Sequence, residues 1–302
     1  MGSSDGSRAS SSLGVVVKAD LLVACFLVPG IASGANWWDQ LTTTPGSFPP
    51  LRPLKAKYTF GWSAFSAGNT EVEFSRTKDE QYQLKIKGST TGAVRALWKL
   101  DADAYSIVRP ETLLPAKVVQ HEAYSDESRT TSVLFSEEGV ARTRERKPVD
   151  DDSGKTKEFK FSPVHDLHSA LLFIRSQPLK DGDVIRFAVY PAAQPYLADV
   201  TVAGHESVKV AGKRWPAIKL DLKLQKIEKD LTLAPHQKFK RATGWLSDDT
   251  DRLLLKVESE VMVGRVWMDL QQVSFTGNPN RESPTPRSTA SAGTGTAAEN
   301  HR

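Results

Sequence analysis

Apolar and polar residues alternate with a period of two along much of this chain. Tyr58, Phe60 and Trp62 alternate with Thr59, Gly61 and Ser63, and Tyr82, Leu84 and Ile86 with Gln83, Lys85 and Lys87. Thr131, Val133 and Phe135 continue the theme, and the clearest run sets Ile218, Leu220, Leu222 and Leu224 against Lys219, Asp221, Lys223 and Gln225. Successive side chains of a strand point to opposite faces, so such runs put one apolar face on a core and one polar face in water, as in antiparallel sheets. Turn signals separate the runs: Ala67-Gly68-Asn69, Glu138-Gly139, Asp181-Gly182-Asp183, Ala203-Gly204-His205, Ala211-Gly212-Lys213 and Val263-Gly264-Arg265. The pattern predicts about ten to thirteen strands. The expected fold is mainly β, a single domain built as an antiparallel curved sheet or barrel.

One segment breaks this period. Leu167, Ala170, Leu171 and Ile174 recur at helical spacing, predicting one short amphipathic helix that Ser162-Pro163 or Asp166 starts and Pro178 ends. Residues 36–54 hold four prolines and no periodicity, and read as an extended lead-in whose Trp37 and Trp38 are expected to pack on the body, with contact to membrane headgroups as the alternative. The tail, residues 274–302, has almost no large apolar residue beyond its first positions and cannot offset the entropy of ordering, so it is expected to be disordered. The folded body is then residues 55–273.

Residues 1–35 alter the picture by giving an address. Leu21–Ala35 is an apolar run preceded by Lys18 and closed by Ser33-Gly34-Ala35, the shape of a secretory signal cleaved before Asn36. It is shorter than the roughly 20 residues of a spanning helix and contains Pro29 and Gly30. Leu22-Val23-Ala24-Cys25 also has the form of a lipoprotein box with Cys25 as the lipidated residue, and an uncleaved anchor is a third possibility. Cys25 is the only cysteine, so no internal disulfide can form, and cleavage after Ala35 removes thiol chemistry altogether. The expected location is periplasmic or otherwise extracytoplasmic. The net charge of +4 on a mixed-sign chain is no nucleic-acid signature.

Candidate chemistry is sparse. No Gly-rich phosphate loop, G-x-S-x-G elbow or H-E-x-x-H occurs. His165 and His168 flank Asp166 and could share a face, with His121, Glu122 or His205 as a further ligand; nothing in the spacing demands a metal, and polar capping is the expectation. Asp150-Asp151-Asp152-Ser153-Gly154 lacks the pattern of a calcium loop and reads as a solvated turn. Asp248, Asp249 and Asp251 could serve glycan hydrolysis, but the same cluster fits a turn in which Asp side chains bond local N–H groups and Arg252 pairs with a carboxylate. Arg142, Arg144, Arg146 and Lys147 fall in one run, expected to be a solvated strand face, with anionic lipid or glycan surfaces as the alternative.

Three segments together resemble a bacterial envelope family, the domain of unknown function 3108. They are YTFGWSAFSAGNTEVEF, with Tyr58, Trp62, Ala67 and Gly68; HDLHSALLFIRSQPLKDGDVIRF, with Ala170, Leu171, Arg175, Leu179 and Gly182; and GWLSDDTDRLLLKVESEVMVGRVWMDL, with Trp245, Leu246, Ser247, Asp249, Arg252 and Gly264. Leu253 stands where that pattern has a proline. The resemblance implies an exported, mostly β domain of unestablished activity and brings no catalytic residues. The expected function is a non-enzymatic envelope protein, without cofactor, that holds an apolar ligand such as lipid inside its curved sheet. Phe60, Trp62, Phe74, Trp98, Phe187, Trp215, Leu222 and Trp245 are the candidate lining, though a plain core has the same pattern. The alternative is a structural or interaction module for envelope assembly. Expected partners are a lipid or an envelope protein, with membrane contact only peripheral or through a lipid anchor.

Overall fold

A computed structural model describes residues 36–191, 193–235, 239–261 and 264–276. The segments read from sequence as signal, Cys25 included, and all of the tail beyond Thr276 lie outside the described residues. Among the described residues the chain forms β1 (Leu54–Trp62), β2 (Phe65–Arg76), β3 (Tyr82–Thr90), α1 (Gly92–Leu97), β4 (Asp101–Val108), β5 (Pro115–Ala123), β6 (Ser128–Ser136), β7 (Gly139–Lys147), β8 (Thr156–Phe159) and α2 (Leu167–Ser176). There follow β9 (Val184–Val189), β10 (Tyr196–Val210), β11 (Lys213–Ile227), β12 (Leu233–Pro235), β13 (Phe239–Ser247), β14 (Leu254–Val261) and β15 (Arg265–Phe275). A 3-10 turn at Trp37–Gln40 sets the rings of Trp37 and Trp38 edge-on at 5.4 Å.

All fifteen strands join one sheet in the order β8-β7-β6-β5-β4-β3-β2-β1-β15-β14-β13-β11-β10-β9, with β12 beside β11. The count exceeds the sequence expectation because β8 and β12, of four and three residues, are too short to show alternation. The last strand joins the first: Leu54 lies opposite Phe275 and Tyr58 opposite Leu270. β15 therefore runs two residues past the expected end of the body at Val273. Bulges at Lys57/Tyr58, Phe60/Gly61 and Val202/Gly204 add local bend and twist. The sheet curls until its two edges approach, where Phe159 of β8 stacks on Tyr190 just beyond β9 at 6.5 Å, and His165 bridges to Val189. The edge strands β8 and β9 do not pair, so the barrel stays unclosed.

The inner face holds the core. Leu54, Ala56, Tyr58, Phe74, Tyr82, Leu84, Val108, Val200, Ile218, Leu220, Leu246 and Leu255 are buried from the sheet side. On the outer face of the same strands Lys55 meets Glu73 at 3.4 Å and Lys57 meets Glu71 at 3.1 Å across the β1–β2 ladder. Helix α2 lies against the inner face, between β4 and β9. Asp166 caps it through a reciprocal pair of bonds with Ser169, as the sequence allowed. The buried stripe differs from expectation. Leu167 is exposed, while Leu172 and Phe173 are buried with Ala170 and Ile174. A helix enclosed by a sheet is covered on more than one face, so its apolar residues need not keep to one stripe.

The lead-in is part of the fold from Thr42 onward. Thr42 N–H donates to Arg186 O (2.8 Å) and Phe48 N–H to Ser176 O (3.1 Å), while Gln177 Nε2 donates to Thr44 O (3.1 Å). The prolines keep this strap extended, and it lies against the C-terminal end of α2.

Candidate functional site

Side chains from three distant segments converge at the C-terminal end of α2. That end leaves backbone carbonyls without helical partners. Arg252, just before β14, donates from Nη1 to Arg175 O (2.8 Å) and to Gln177 O, and from Nη2 to Pro178 O (3.0 Å). A guanidinium suits this position twice over, because its donors fan out in a fixed plane and its charge faces the negative end of the helix dipole. Arg175 reaches back, donating from Nε and Nη2 to Asp251 O (3.3 and 2.9 Å) and from Nη1 to Pro49 O (2.9 Å). Phe48 of the strap covers both cations, with its ring centroid 3.5 Å from the Arg252 guanidinium and 5.5 Å from that of Arg175. Burial, then the neighbouring Arg252, pushes the Arg175 guanidinium down to about 10.

The acidic residues of this cluster are engaged locally. One Asp249 carboxylate oxygen accepts from Ser247 Oγ (2.7 Å) and from the N–H groups of Asp251 and Arg252 (2.9 and 3.0 Å). Asp251 takes both donors of Arg52, at 2.8 and 2.5 Å. Arg252 thus bonds carbonyls instead of pairing with a carboxylate, and the cluster reads as a turn and a clamp. Of the other motif residues, buried Tyr58 donates its hydroxyl to Leu254 O (3.0 Å), Gly182 turns the chain before β9, and Gly264 opens β15. Gly68 sits where a Cβ would fall 2.2 Å from Ser89 O, so β2 and β3 approach this closely only without a side chain there.

The aromatic set proposed as a ligand lining divides. Phe74, Phe187 and Trp245 are buried in the core, Trp215 and Leu222 pack against it, and Phe60 is half-buried. The structure contradicts the placement of Trp62 and Trp98, which are 46% and 51% exposed. β1 outruns the core before Trp62, and Trp98 follows α1, which lies outside the sheet. The two meet a different surface. Trp62 lies opposite Phe65, 66% exposed, across the β1–β2 turn. Leu97, 91% exposed, ends α1, which is tied to β2 by the bond from Thr91 N–H to Ala67 O (2.9 Å). Exposed Lys99 follows. One rim of the sheet therefore presents Trp62, Phe65, Leu97 and Trp98 together. A groove of about 570 Å³ on the outer face of β1–β4 is lined by Lys55, Glu71, Lys85 and Asp103 together with Val72, Ile86 and Tyr105, a mixed surface.

The histidines lie apart, and one of them is in the core. His165 lies between Phe173 and Phe187, with ring centroids at 4.6 and 5.5 Å, and its Nδ1 is 3.2 Å from Ser169 Oγ. His168 is 3.5 Å from Asp166, His121 meets Thr130 Oγ1 at 3.0 Å, and His205 meets Asp181 at 2.8 Å. Glu122 accepts from the Tyr124 hydroxyl. These groups do not converge, and among the described residues no three such side chains surround one point. Asp150 and Asp152 pair with Arg146 and Lys157 at the β7–β8 turn.

Burial holds the His165 imidazole down at about 4 against an ordinary 6.5. The folded state therefore resists a proton that the unfolded chain accepts. Stability from this site is complete above pH 6.5 and falls as pH drops toward 4, by on the order of 3 kcal/mol. His165→Phe is expected to flatten that limb of the pH–stability curve in urea titrations; an unchanged limb would assign the acid sensitivity elsewhere.

The basic run departs most from expectation. Arg142, Arg144 and Arg146 point to the inner face in line with buried Val140, and Arg142 is only 5% exposed. It is not a solvated strand face. Arg129 and Arg146 close around Glu127. The Nε atoms of Arg142 and Arg144 are buried without a partner.

These features define an unclosed, barrel-like β domain with an internal helix clamped by arginines. The chain belongs to the family of proteins of unknown function DUF3108, whose profile matches residues 57–271. No curated protein sequence matches it. Its fold is similar to the crystal structure of a beta-barrel-like protein of domain of unknown function DUF1849 from Brucella abortus, with a TM-score of 0.54 at 11% identity, covering 76% of this chain and 99% of that one. MucB is similar over 81% of this chain and 59% of its own at 12% identity, with a TM-score of 0.31, below the level of a shared fold.

Proposed function

We propose that this chain is an exported, non-enzymatic module of the bacterial envelope that rests peripherally on a lipid surface through one apolar rim of its β body. The observation that carries this is the grouping of Trp62, Phe65, Leu97 and Trp98 on that rim. Tryptophan and phenylalanine at turn tips, with a leucine and a neighbouring lysine, are the side chains that settle at the boundary of headgroups and acyl chains. The apolar run Leu21–Ala35 supports export. Among the described residues no helix is long and apolar enough to cross a membrane. Enclosure of an apolar ligand has less support, because Phe74, Phe187 and Trp245 are taken up by the protein's own core. A glycan-acting role loses support in the same way, since Asp249 and Asp251 serve the turn and Arg52.

Vesicle flotation tests the proposal. The protein is expected to float with vesicles of phosphatidylethanolamine and phosphatidylglycerol. Phe65→Ser combined with Leu97→Ser should weaken binding by about a hundredfold or more, since each side chain contributes about 1.5–3 kcal/mol when buried. Both residues are exposed, so folding should change by less than about 1 kcal/mol. A parent protein that stays unbound, or a variant that floats equally, would remove the proposal.

A further inference from the structure

The inner face of β6 and β7 carries charge that the described residues do not balance. Four arginines line it, in two pairs with opposite fates. Arg129 lies opposite Arg146, and both pair with Glu127, while Asp150 supplies the second carboxylate to Arg146 at 2.7 Å. Arg142 and Arg144 are one repeat deeper. Across β6 they face Val133 and Thr131, and across β8 Arg142 faces Lys157, whose own partner is Asp152. Neither guanidinium joins an ion pair among the described residues, and each has a buried Nε atom with no hydrogen-bond partner. Residues two apart on a strand are about 7 Å apart on one face, so the two cations repel while burial strips them of water.

Other groups facing this spot do not relieve it. Glu122 acts on Arg144 from a distance, and it is outweighed by burial and by the charges of Arg142 and Arg129, which together lower the Arg144 value. Tyr190, at the seam of the barrel, is close enough to feel both arginines, but its hydroxyl donates to Ala193 O at 3.2 Å. Buried charges in folded proteins are normally paired or bound to a counter-ion, and a buried N–H without an acceptor is a standing cost. Two guanidiniums side by side match the oxygens of a tetrahedral anion, each giving parallel N–H bonds that a single lysine could not.

We infer that Arg142 and Arg144 form an inward-facing binding site for a phosphate-type oxyanion, carried by a lipid headgroup or by a free phosphate. Thr131 borders the site and offers a hydroxyl group. The oxyanion would supply the negative charge that this part of the barrel lacks, while Glu127 already fills that role for the outer pair.

The test is calorimetric titration of the full chain, at fixed ionic strength in chloride buffer, with two probes. One is inorganic phosphate, and the other is dihexanoyl phosphatidylglycerol below its micellar concentration. Saturable binding of at least one probe is expected, with a rise in melting temperature. Arg144→Gln, at the less buried position, should weaken it roughly ten- to a hundredfold. Arg142→Met should abolish the response while melting no lower than the parent in phosphate-free buffer, because it removes an unpaired buried charge. Should Arg142→Met fail to fold, the Arg144→Gln titration still decides. Binding of both probes, lost in Arg144→Gln, means that the oxyanion suffices. Binding of the lipid alone, also lost in that variant, identifies a headgroup as the source. A parent chain indifferent to both probes, or an Arg144→Gln chain that binds as the parent does, would overturn the inference.

Discussion

Replacing Arg252 by leucine is expected to destabilise the protein by about 3–5 kcal/mol, the scale of removing one member from a buried, hydrogen-bonded charge network. The side chain serves the carbonyls of Arg175, Gln177 and Pro178, and nothing else among the described residues is placed to take over those three acceptors. The same change uncovers one face of the Phe48 ring, which lies 3.5 Å from the guanidinium. Arg252 also has a positive φ of 44°, a conformation that glycine adopts more easily. Arg252→Gly would relieve about 1 kcal/mol of backbone strain and still lose the network, so it should remain strongly destabilised. Arg252→Lys should fall between, since an ammonium cannot reach all three carbonyls from one plane. For a body of this size the leucine variant should melt roughly 10 °C lower. Chemical denaturation placing Arg252→Leu within about 1 kcal/mol of the parent would mean that the clamp is ornamental.

The second large effect is expected at Gly46 of the strap. A Cβ there would fall 2.1 Å from Ser176 O and 2.8 Å from Gln177 Cα, and both obstacles are backbone. Gly46→Ala therefore cannot be absorbed by turning a side chain; the strap must lift from α2. Lifting breaks the Phe48–Ser176 and Gln177–Thr44 bonds, at 3.1 Å each, and draws Phe48 away from Arg252. A loss of about 3 kcal/mol is expected, comparable to overpacking a well-filled core. Because both changes act on the contact of Phe48 with Arg252, Gly46→Ala and Arg252→Leu should be less than additive, by about 1 kcal/mol or more in a double-mutant cycle. Strict additivity would show that strap and clamp are independent.

Much of the fold was legible because alternation has a direct structural meaning. Tyr82 and Leu84, or Ile218 and Leu220, are buried as the period of two required. Periodicity says which residues share a face, but not how far the core extends along the strand. Hence Tyr58, Phe60 and Trp62 form one row in sequence yet pass from buried through half-buried to exposed. The same limit hid the apolar rim, because Trp62 and Trp98 look like core by composition. Prolines erase periodicity, so the lead-in reads as separate in sequence, although its hydrogen bonds to α2 and β9 make Thr42–Leu51 part of the body. The burial of Arg142 is hidden in the sequence for a different reason. A run of alternating arginines reads as a wetted face, and only its register with buried Val140 reveals that the cations point inward. The motif residues Arg175, Asp249 and Arg252 were visible one by one, but their meeting at one helix end required the topology.

Contact between the apolar rim and a lipid surface can be measured at single positions. In a chain carrying Cys25→Ser, a cysteine at Leu97 on the rim and, separately, one at Val184 at the opposite end of the sheet would each bear an environment-sensitive fluorophore. Both sites are exposed, so labelling should not disturb the core. On addition of phosphatidylethanolamine–phosphatidylglycerol vesicles the label at position 97 is expected to brighten and shift to the blue while that at position 184 stays as in water. No change at position 97, or equal changes at both, would contradict docking through this rim.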